Sequence, residues 1–506
     1  MILGDMNPKA GTAATLDDLF RRAGVRHPAA IALADPPNRE SFTDSAPRKL
    51  TFAQADRAIS TFAGKLRGLG LQTDSIIAIQ LPNTVESIVA FLGVLRAGMI
   101  AAPMPLLWRH RDIVAALGQI GAKAIVTCSR IGTAAPAETA RQAAVDLFSI
   151  RHVCGFGCDL PDGVVPLDDV FASDMADASA AHTRPGPAAV HVAAITFGLE
   201  AKGVAPVARN HIELVAGGLE LFLETETGPD APHLSTIPIA SFAGIAVTAL
   251  PWLLSGGALH LHHGFDAEAF AAQCSALDDG AVILPAAAAG PVVQAGILTG
   301  RKPAVVALWR APERMSAARP WESRSLLVDV ASFGEVGLIA ARRGGNRLPT
   351  LIPLGTSDPS HRAAGAPTVI ETSRNGAGML ALRGRMVPSA APGPSRARAL
   401  RFPTNVAGYV DTGWTCRVDG RGLIVTAPPP GVTAIGGYPF HLSQVDEFVA
   451  DSDPDATIVA LPDTDLGQRF AGTAVDRAEL LAKLKVRGVN PLIYGAFQPR
   501  NTPEAA

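Results

Sequence analysis

The chain has 506 residues, of which 18% are charged, and its formal net charge is −2. This length allows several domains with large cores, and the balanced charge excludes the basic surface that nucleic-acid or membrane-surface binding requires. Five scattered cysteines are too few for a disulfide framework, and the start of the chain lacks the apolar core of a signal peptide. We therefore expect a cytoplasmic protein.

Helices and strands alternate in the first part of the chain. Apolar residues recur at helical spacing over residues 50–71, with Thr51 as a candidate N-cap and Gly70 as a candidate stop. The segments that follow read in turn as strand, helix, strand, helix and strand, at residues 75–81, 82–98, 99–104, 111–122 and 123–128. Such alternation predicts βαβ units with helices on both faces of a parallel sheet, and it resumes over 190–284.

The segment 237–261 is uncharged and long enough to cross a bilayer. Pro251 and the pair Gly256–Gly257 interrupt its pattern, and no cluster of Lys or Arg flanks either end. These features favour a buried helix followed by a turn and a strand, so we expect no membrane span.

The last third of the chain changes character. Short strands rich in Gly and Pro occupy about 351–425, and "VDGRGLIV" (418–425) predicts a β-hairpin. The cluster "APPPG" (427–431) is the best candidate linker. Beyond it the pattern predicts a small α+β unit, with elements at 442–450, 456–463 and 477–488.

Six segments occur in the order found in the adenylate-forming (AMP-binding) superfamily of acyl-CoA synthetases, peptide-synthetase adenylation domains and luciferases. Examples are "LPNTVESIVAFLGVLRAGMIAAPM", "IPIASFAGIAVTALPWLLSGGALHL" and "AIGGYPFHLSQVDEFV". The resembling segments are 75–104, 235–261, 265–298, 378–387, 409–425 and 434–449. The likeness spans about 16–449, and the shared order is more specific than any one segment.

The resemblance implies a mixed α/β (α+β) fold with two domains. The larger, 1–427, has βαβ-type sheets covered by helices and a β-rich subdomain at about 351–427; the smaller, 428–506, is a C-terminal α+β domain that is short for the family. The resemblance also implies activation of a carboxylic acid by ATP and Mg²⁺ to an acyl-adenylate. A thiol such as coenzyme A then accepts the acyl group.

The stretch "TFGLEAKG" resembles the family's phosphate loop, T-S-G-[ST]-T-G-x-P-K-G, whose glycines and hydroxyls donate to phosphate. Phe197 and Leu199 replace hydroxyls, and Glu200 would repel a phosphate by about 1–4 kcal/mol per charge pair. An ordinary strand-to-helix turn in an inherited fold is the alternative. The residues that match the nucleotide-binding positions are Thr196, Gly198, Lys202 and Gly203.

The stretch "ASFGEVG" resembles the family's Y-G-x-T-E motif. The resemblance implies that Phe333 and Gly334 lie beside the nucleotide and that Glu335 is a catalytic residue and a Mg²⁺ ligand. An exposed loop glutamate is the alternative. Ser241 stands where the family has a histidine of the acyl pocket, and it is interpreted as a small core-facing residue.

The stretch "DTGWTC" resembles the motif T-G-D, whose aspartate binds both ribose hydroxyls. Thr412 and Gly413 match the nucleotide-binding pattern, but Trp414 takes the place of the acid. An indole donates and cannot accept a hydrogen bond, and the loss of two bonds of about 1.5–3 kcal/mol each would greatly weaken nucleotide binding. Asp411 lies three residues before this position and could replace the acid only if the strand were shifted.

The hinge and the tail also differ from the family. Pro428 and Gly431 replace the arginine and aspartate of the hinge, whereas Gly436 and Gly437 are kept. The tail "FQPRNTPEAA" has Ala505 where the family has a lysine that contacts the carboxylate and the phosphate.

Two hypotheses follow. The first is a carboxylate–CoA ligase-type enzyme that activates an acid through altered nucleotide contacts. The second is an inactive relative that kept the fold and serves as a binding, scaffold or regulatory protein, because four elements that serve the same nucleotide are altered together. A protein partner that completes the site is a third alternative.

Overall fold

The structure is a computed structural model that describes residues 14–172, 186–200, 203–356, 369–388, 402, 404–420, 422–463 and 467–498. Its α-helices are α1 Leu16–Arg26, α2 Phe52–Gly68, α3 Val85–Arg96, α4 His110–Ile120, α5 Pro136–Asp146, α6 His211–Thr225, α7 Phe242–Gly244, α8 Leu250–Ser255, α9 Ala267–Ser275, α10 Ala286–Gln294, α11 Leu442–Ala450, α12 Arg477–Val486 and α13 Pro491–Tyr494.

Strands alternate with these helices over the first two thirds of the chain. In chain order they are β1 Ile31–Ala34, β2 Lys49–Thr51, β3 Ile76–Ile79, β4 Ile100–Pro103, β5 Ala124–Cys128, β6 His152–Phe156, β7 Val165–Pro166, β8 Val192–Glu200, β9 Gly203–Asn210, β10 His233–Ser235, β11 Leu259–Leu261, β12 Ala281–Pro285, β13 Ala304–Trp309, β14 Leu327–Phe333, β15 Gly337–Arg342, β16 Ile352–Pro353, β17 Gly355–Thr356, β18 Ile370–Arg374, β19 Met379–Gly384, β20 Val410–Asp419, β21 Gly422–Ala427, β22 Val432–Ile435, β23 Tyr438–His441, β24 Thr457–Asp463 and β25 Gly467–Thr473.

Two large sheets form the main body. One has the order β7-β6-β5-β3-β4-β8-β9 and is parallel except for the β8–β9 hairpin. The other has the order β15-β14-β13-β12-β10-β11-β1-β2 and is parallel except at its two outer pairs. One cluster of buried apolar residues draws on both sheets and on helices α2, α3, α6 and α8. Two further clusters pack α4 and α5 on the first sheet and α9 and α10 on the second. The predicted βαβ architecture is therefore confirmed.

The rest of the chain forms smaller units. An antiparallel sheet of order β16-β21-β20-β19-β18-β17 follows, and the predicted hairpin is the β20–β21 pair, in which Asp419 faces Gly422. The C-terminal part contains the hairpins β22–β23 and β24–β25 with α11, α12 and α13 around its own apolar cluster. This confirms a smaller C-terminal α+β domain, whereas the boundary between 427 and 428 stays a prediction.

The first predicted helix shows how well capping signals locate an element. Helix α2 begins after Thr51, whose side chain accepts from the Gln54 N–H while the Gln54 side chain accepts from the Thr51 N–H. This reciprocal pair satisfies two N–H groups that an uncapped helix leaves without partners. The helix ends at Gly68, just before Gly70, which has the left-handed backbone (φ +77°) that terminates helices.

The apolar segment 237–261 folds as predicted for a buried segment. It forms α7, a π-helical turn at Ile245–Ala249, α8 and then strand β11, and the Trp252 indole donates to the Gly257 carbonyl at 2.8 Å. Within the described part of the chain, no helix has the length and apolar character needed to cross a bilayer.

The stretch at 195–211 does not form the strand-to-helix turn that was the alternative to a phosphate loop. It is not a strand-to-helix turn, because β8 and β9 form an antiparallel hairpin from Val192↔Asn210 to Glu200↔Gly203 before α6 begins. The alternation of single strands and helices therefore does not resume until after β9.

Helix α6 packs tightly against α8, and this contact generates a stability prediction. A Cβ placed on Gly218 would lie 2.0 Å from the Leu250 Cβ, whereas a Cβ on Gly64 in α2 would meet no atom within 4 Å. We expect Gly218→Ala to destabilise the fold by about 1–3 kcal/mol through overpacking. The matched control Gly64→Ala should stabilise it by about 0.5–1 kcal/mol through helix propensity. Urea unfolding of both variants checks the prediction, and equal effects would contradict the close packing of α6 on α8.

Candidate functional site

Glu335 lies in the tight turn between β14 and β15. Gly334 precedes it with a left-handed backbone (φ +55°), which a residue with a side chain rarely adopts. The Glu335 side chain is only 5% exposed, so the alternative of an exposed loop glutamate is wrong. The turn directs the carboxylate into the protein because the residues on both sides of it belong to buried strands.

Arg209 is the counter-ion of this buried carboxylate. Its Nη1 lies 3.1 Å from Glu335 Oε2, its Nη2 donates to the Glu335 carbonyl oxygen, and its side chain is 1% exposed. The guanidinium also lies over the Phe242 ring, with Cζ 3.9 Å from the ring centroid, a favourable cation–π arrangement. The two opposite charges therefore lie in direct contact inside the protein, while the buried Nε of Arg209 has no hydrogen-bond partner.

Neutral donors complete the coordination of Glu335. The Thr196 hydroxyl donates to Oε2 at 2.5 Å, and the Phe242 N–H lies 3.3 Å from each carboxylate oxygen. Gly198, on the same face of β8 as Thr196, leaves room for the carboxylate, since a Cβ there would lie 3.7 Å from the Glu335 side chain. The fold thus brings Thr196, Gly198 and Glu335 together.

Burial and the neighbouring charges act in opposite directions on this pair. Burial raises the pKa of Glu335, while Arg209, the Thr196 hydroxyl and the Phe242 N–H lower it in part. Burial likewise lowers the pKa of Arg209, and Glu335 offsets part of that change. Arg310, which donates to the Ser241 hydroxyl at 3.2 Å, adds a second positive charge near the carboxylate.

Trp414 covers the turn that carries Glu335. Its ring packs edge-on against Phe333 with 5.7 Å between centroids, and its indole N–H donates to the Glu313 carboxylate at 3.2 Å. A Cβ on Gly334 would lie 3.6 Å from the Trp414 ring. A donor and an apolar surface therefore stand where the resemblance leads one to expect a ribose-binding acid.

Thr412 and Gly413 make structural contacts within and next to their own sheet. The Thr412 hydroxyl donates to the Leu380 carbonyl at 2.8 Å, and Gly413 has a left-handed backbone (φ +84°) against Pro429. Asp411 lies on the opposite, exposed side of β20. The pairing of β19 with β20 has a register irregularity between Met379 and Ala381. Asp411 nevertheless lies on the face opposite Thr412 and Trp414, so it does not replace the missing acid.

Other predicted positions lie at the tip of the β8–β9 hairpin or outside the described residues. Gly203 begins β9 with φ +121°, and Glu200 ends β8. Lys202 and the tail position Ala505 are outside the residues that the structure describes. The nucleotide-binding and metal-binding roles assigned to the predicted residues stay predictions.

Phe197 and Leu199 lie on the other face of β8. The Phe197 ring packs edge-on against Trp108 at 5.0 Å, and the Trp108 indole N–H donates to the Tyr438 hydroxyl at 2.5 Å. Leu199 lines the cavity beside them. These two replacements therefore pack against α4 and the C-terminal domain and do not fill the space around Glu335.

Sequence reasoning missed several residues of this region. Arg209 is the most important; it stands in phase with buried Val207 on β9, so a lone arginine at an inward-facing strand position was the available signal. Arg310 and the Trp108–Tyr438 contact had no local signal, because their partners are far away in sequence. Ser241, expected to face the core, is half-buried and caps α7 by accepting from the Gly244 N–H.

The site can be tested for its fit to a magnesium nucleotide. Every oxygen of the Glu335 carboxylate already has an internal donor, so a metal ion would have to displace one of them. Trp414 offers a ribose no acceptor. As arranged, these residues do not fit the metal–nucleotide group.

The buried ion pair predicts the effect of removing one partner. We expect Arg209→Met to destabilise the fold by about 3–5 kcal/mol, because the Glu335 carboxylate would stay buried without a counter-ion. The double variant Arg209→Met/Glu335→Gln should be more stable than the single variant. Urea unfolding of both proteins measures this, with Arg141→Met, which breaks an exposed pair with Glu138, as a control of little effect.

The same variant should show a specific pH dependence. In Arg209→Met the folded-state pKa of Glu335 lies further above its unfolded value, because burial raises it and the cation is gone. The folded state then binds the proton more tightly, so lowering the pH from 8 to 5 should reduce the deficit relative to the wild type. A deficit that grows on acidification would contradict a buried carboxylate at this position.

The chain was compared with known proteins. Residues 20–279 match the family model described as AMP-binding enzyme. The chain is 28% identical over 244 residues to a 2-hydroxy-7-methoxy-5-methyl-1-naphthoate–CoA ligase of Streptomyces carzinostaticus, which is 46% of this chain and 41% of that protein. It is 27% identical over 223 residues to a sulfoacetate–CoA ligase of Cupriavidus necator, 44% and 41% of the two chains. The matched segments thus span less than half of these relatives.

Solved structures with low sequence identity share the fold over nearly the whole chain. ATP-bound MatB from Rhodopseudomonas palustris superposes with a TM-score of 0.61 at 18% identity, covering 94% of this chain and 92% of that one. The amide bond synthetase McbA from Marinactinospora thermotolerans gives 0.66 at 17% identity, covering 94% of each. The family match covers half of the chain, and the six ordered segments agree with it. The chain belongs to the AMP-binding enzyme family, within the adenylate-forming superfamily.

Proposed function

We propose that this protein is a non-activating member of the AMP-binding family: it binds a carboxylic acid or acyl group and acts as a binding, scaffold or regulatory protein without ATP-dependent chemistry. One observation carries the proposal. The carboxylate expected to hold Mg²⁺, Glu335, is neutralised by Arg209 and capped by the Thr196 hydroxyl.

The energetics of this pair support the proposal. Mg²⁺ binds oxygen ligands in a demanding octahedral geometry and gives up its water reluctantly. To reach Glu335 it would have to separate a buried ion pair, which costs about 3–5 kcal/mol when one partner loses the other. Arg310 adds positive charge near the same carboxylate, which further disfavours a divalent cation.

The ribose side of the site supports the same proposal. Trp414 packs on Phe333, and its only polar atom is bound to Glu313. An indole in place of an acid removes acceptors that would otherwise select a nucleotide, at about 1.5–3 kcal/mol for each charge-assisted bond. Two independent contacts to the same ligand are therefore altered.

A carboxylate–CoA ligase is the second candidate, and a specific observation favours it. The fold still brings Thr196 and Glu335 together from distant parts of the chain, and the relatives that match this chain include proteins named as CoA ligases. In this candidate ATP, Mg²⁺ and coenzyme A would be bound, and a partner subunit is one way to complete the site. A cytoplasmic location stays a prediction for both candidates.

Calorimetric titration discriminates the two candidates. With ATP–Mg²⁺ and with AMP we expect no binding tighter than about 1 mM, equivalent to roughly 4 kcal/mol. We also expect no acid-dependent release of pyrophosphate over a panel of aromatic and aliphatic carboxylic acids. At least one acid of the panel should bind without nucleotide. Pyrophosphate release that depends on an added acid would establish the ligase instead.

A restoring variant sharpens this test. Trp414→Asp places an acceptor at the ribose position and should strengthen AMP binding by tenfold or more, because one recovered charge-assisted bond corresponds to about 1.5–3 kcal/mol. The matched control Trp321→Phe removes an indole from a buried position near the Arg347 and Ser325 carbonyl groups, away from this site, and should leave AMP binding unchanged. Equal AMP binding by Trp414→Asp and the wild type would show that this position does not control nucleotide affinity.

A further inference from the structure

A cavity lies between the main body and the C-terminal domain, away from Glu335. Its volume is about 300 Å³, and it is bounded by helix α4 and the β8–β9 hairpin on one side and by β23, α11 and α13 on the other. The hairpin contributes Leu199, Gly203 and Val204, so the predicted nucleotide-binding position Gly203 lies in the cavity wall. This volume is within the lower range of small-molecule sites and corresponds to about ten water molecules. A compact organic molecule therefore fits it.

Aromatic rings form much of the cavity wall. Those of Trp108, Tyr438, Phe440 and Phe448 line it. Tyr438 packs on Phe440 with 4.9 Å between centroids, and the polar tips of Trp108 and Tyr438 bond to each other. The wall therefore presents apolar ring surface and few free donors.

The cavity already holds one cation against an aromatic ring. The Arg111 guanidinium lies over Phe448, with Cζ 3.8 Å from the ring centroid. Recognition of ammonium ligands by rings uses the same attraction between a positive charge and a π-face. The cavity wall is thus suited to positive charge.

A carboxylate at the cavity provides the complementary charge. Asp112 Oδ2 accepts a hydrogen bond from the backbone N–H of Arg109 at 3.1 Å. No other hydrogen bond to this carboxylate is found among the described residues. Burial raises the pKa of Asp112 to about 6, so it is mostly ionised at neutral pH. Glu447 adds a second carboxylate at the rim.

We propose that this cavity binds a small organic cation, an aryl or alkyl ammonium, with its charge against Asp112 and its apolar body against Trp108, Tyr438 and Phe448. Of the Asp, Glu, Lys and Arg side chains that line the cavity, two are carboxylates, Asp112 and Glu447, and one is the Arg111 guanidinium, which is engaged with Phe448, so an anion is disfavoured. The bound cation contacts both α4 and the C-terminal domain and so stabilises their association. The proposal is independent of any nucleotide chemistry at Glu335.

Three probes of one size and different charge test the proposal by calorimetry on the full chain at pH 7.5. They are 2-phenylethylammonium, 2-phenylethanol and phenylacetate. We expect the ammonium to bind at least tenfold more tightly than the alcohol, and phenylacetate to bind most weakly. Equal affinity of all three, or a preference for phenylacetate, would overturn the proposal.

Two variants of opposite expected sign keep the test specific. Asp112→Asn preserves the shape of the side chain and should bring the affinity of the ammonium down to that of the alcohol. Arg111→Met removes a competing cation and should raise the affinity of the ammonium several-fold. The matched control Asp278→Asn, at an exposed turn before β12, should change neither. An ammonium affinity that Asp112→Asn leaves unchanged contradicts the proposal.

The pH dependence gives an independent measurement. Asp112 is faced by Arg111 on its own helix and by Arg109, the N-cap residue of that helix. Tyr438 on β23 also faces it, and His441 and Glu447 line the other side of the cavity. Lowering the pH from 7.5 to 5 protonates Asp112 and should weaken binding of the ammonium in the wild type. In Asp112→Asn the residual change should be clearly smaller, and an identical change in both proteins would assign the effect to other groups and overturn the role of Asp112.

Discussion

The arrangement of the main body depends on the buried ion pair between Arg209 and Glu335. Taking two charges out of water costs several kcal/mol each, and this cost is offset only where the geometry supplies further partners. Here the Thr196 hydroxyl, the Phe242 N–H and the Phe242 ring supply them. The pair is thus stable only when β8, β9, the β14–β15 turn and α7 are all in place.

This interaction joins the edges of the two large sheets. Strand β9 is the outer strand of one sheet and β15 an outer strand of the other, and each pairs antiparallel with its neighbour, whereas the central strands of both sheets are parallel. The exposed edge of a sheet can pair with another chain. Here the ion pair between Arg209 on β9 and Glu335 in the β14–β15 turn holds the two edge hairpins against each other. The same geometry holds Glu335 away from solvent and makes it part of the contact between the two sheets.

Periodicity, capping and motif order predicted the fold well because they are local signals. Thr51 and Gly70 located α2, and the apolar run at 237–261 was correctly interpreted as buried once Pro251 was considered. The site was harder to predict, since its contacts join residues far apart in sequence: Thr196 and Arg209 lie more than a hundred residues from Glu335. Motif comparison identified what was missing at the nucleotide positions. It could not identify Arg209, because none of the family motifs includes an arginine on the strand that follows the phosphate loop.

The two faces of β8 explain why the departures from the family pattern occur together. Thr196 and Gly198 face Glu335 and keep the small or hydroxyl-bearing character that this contact needs. Phe197 and Leu199 alternate with them and face the opposite side, where Phe197 packs on Trp108 and Trp108 bonds to Tyr438 of the C-terminal domain. A hydroxyl at either position would reduce the apolar surface buried there, at about 25 cal/mol per Å². The two apolar residues therefore add packing between the main body and the C-terminal domain, and a strand that packs on both faces has little freedom to change its backbone course.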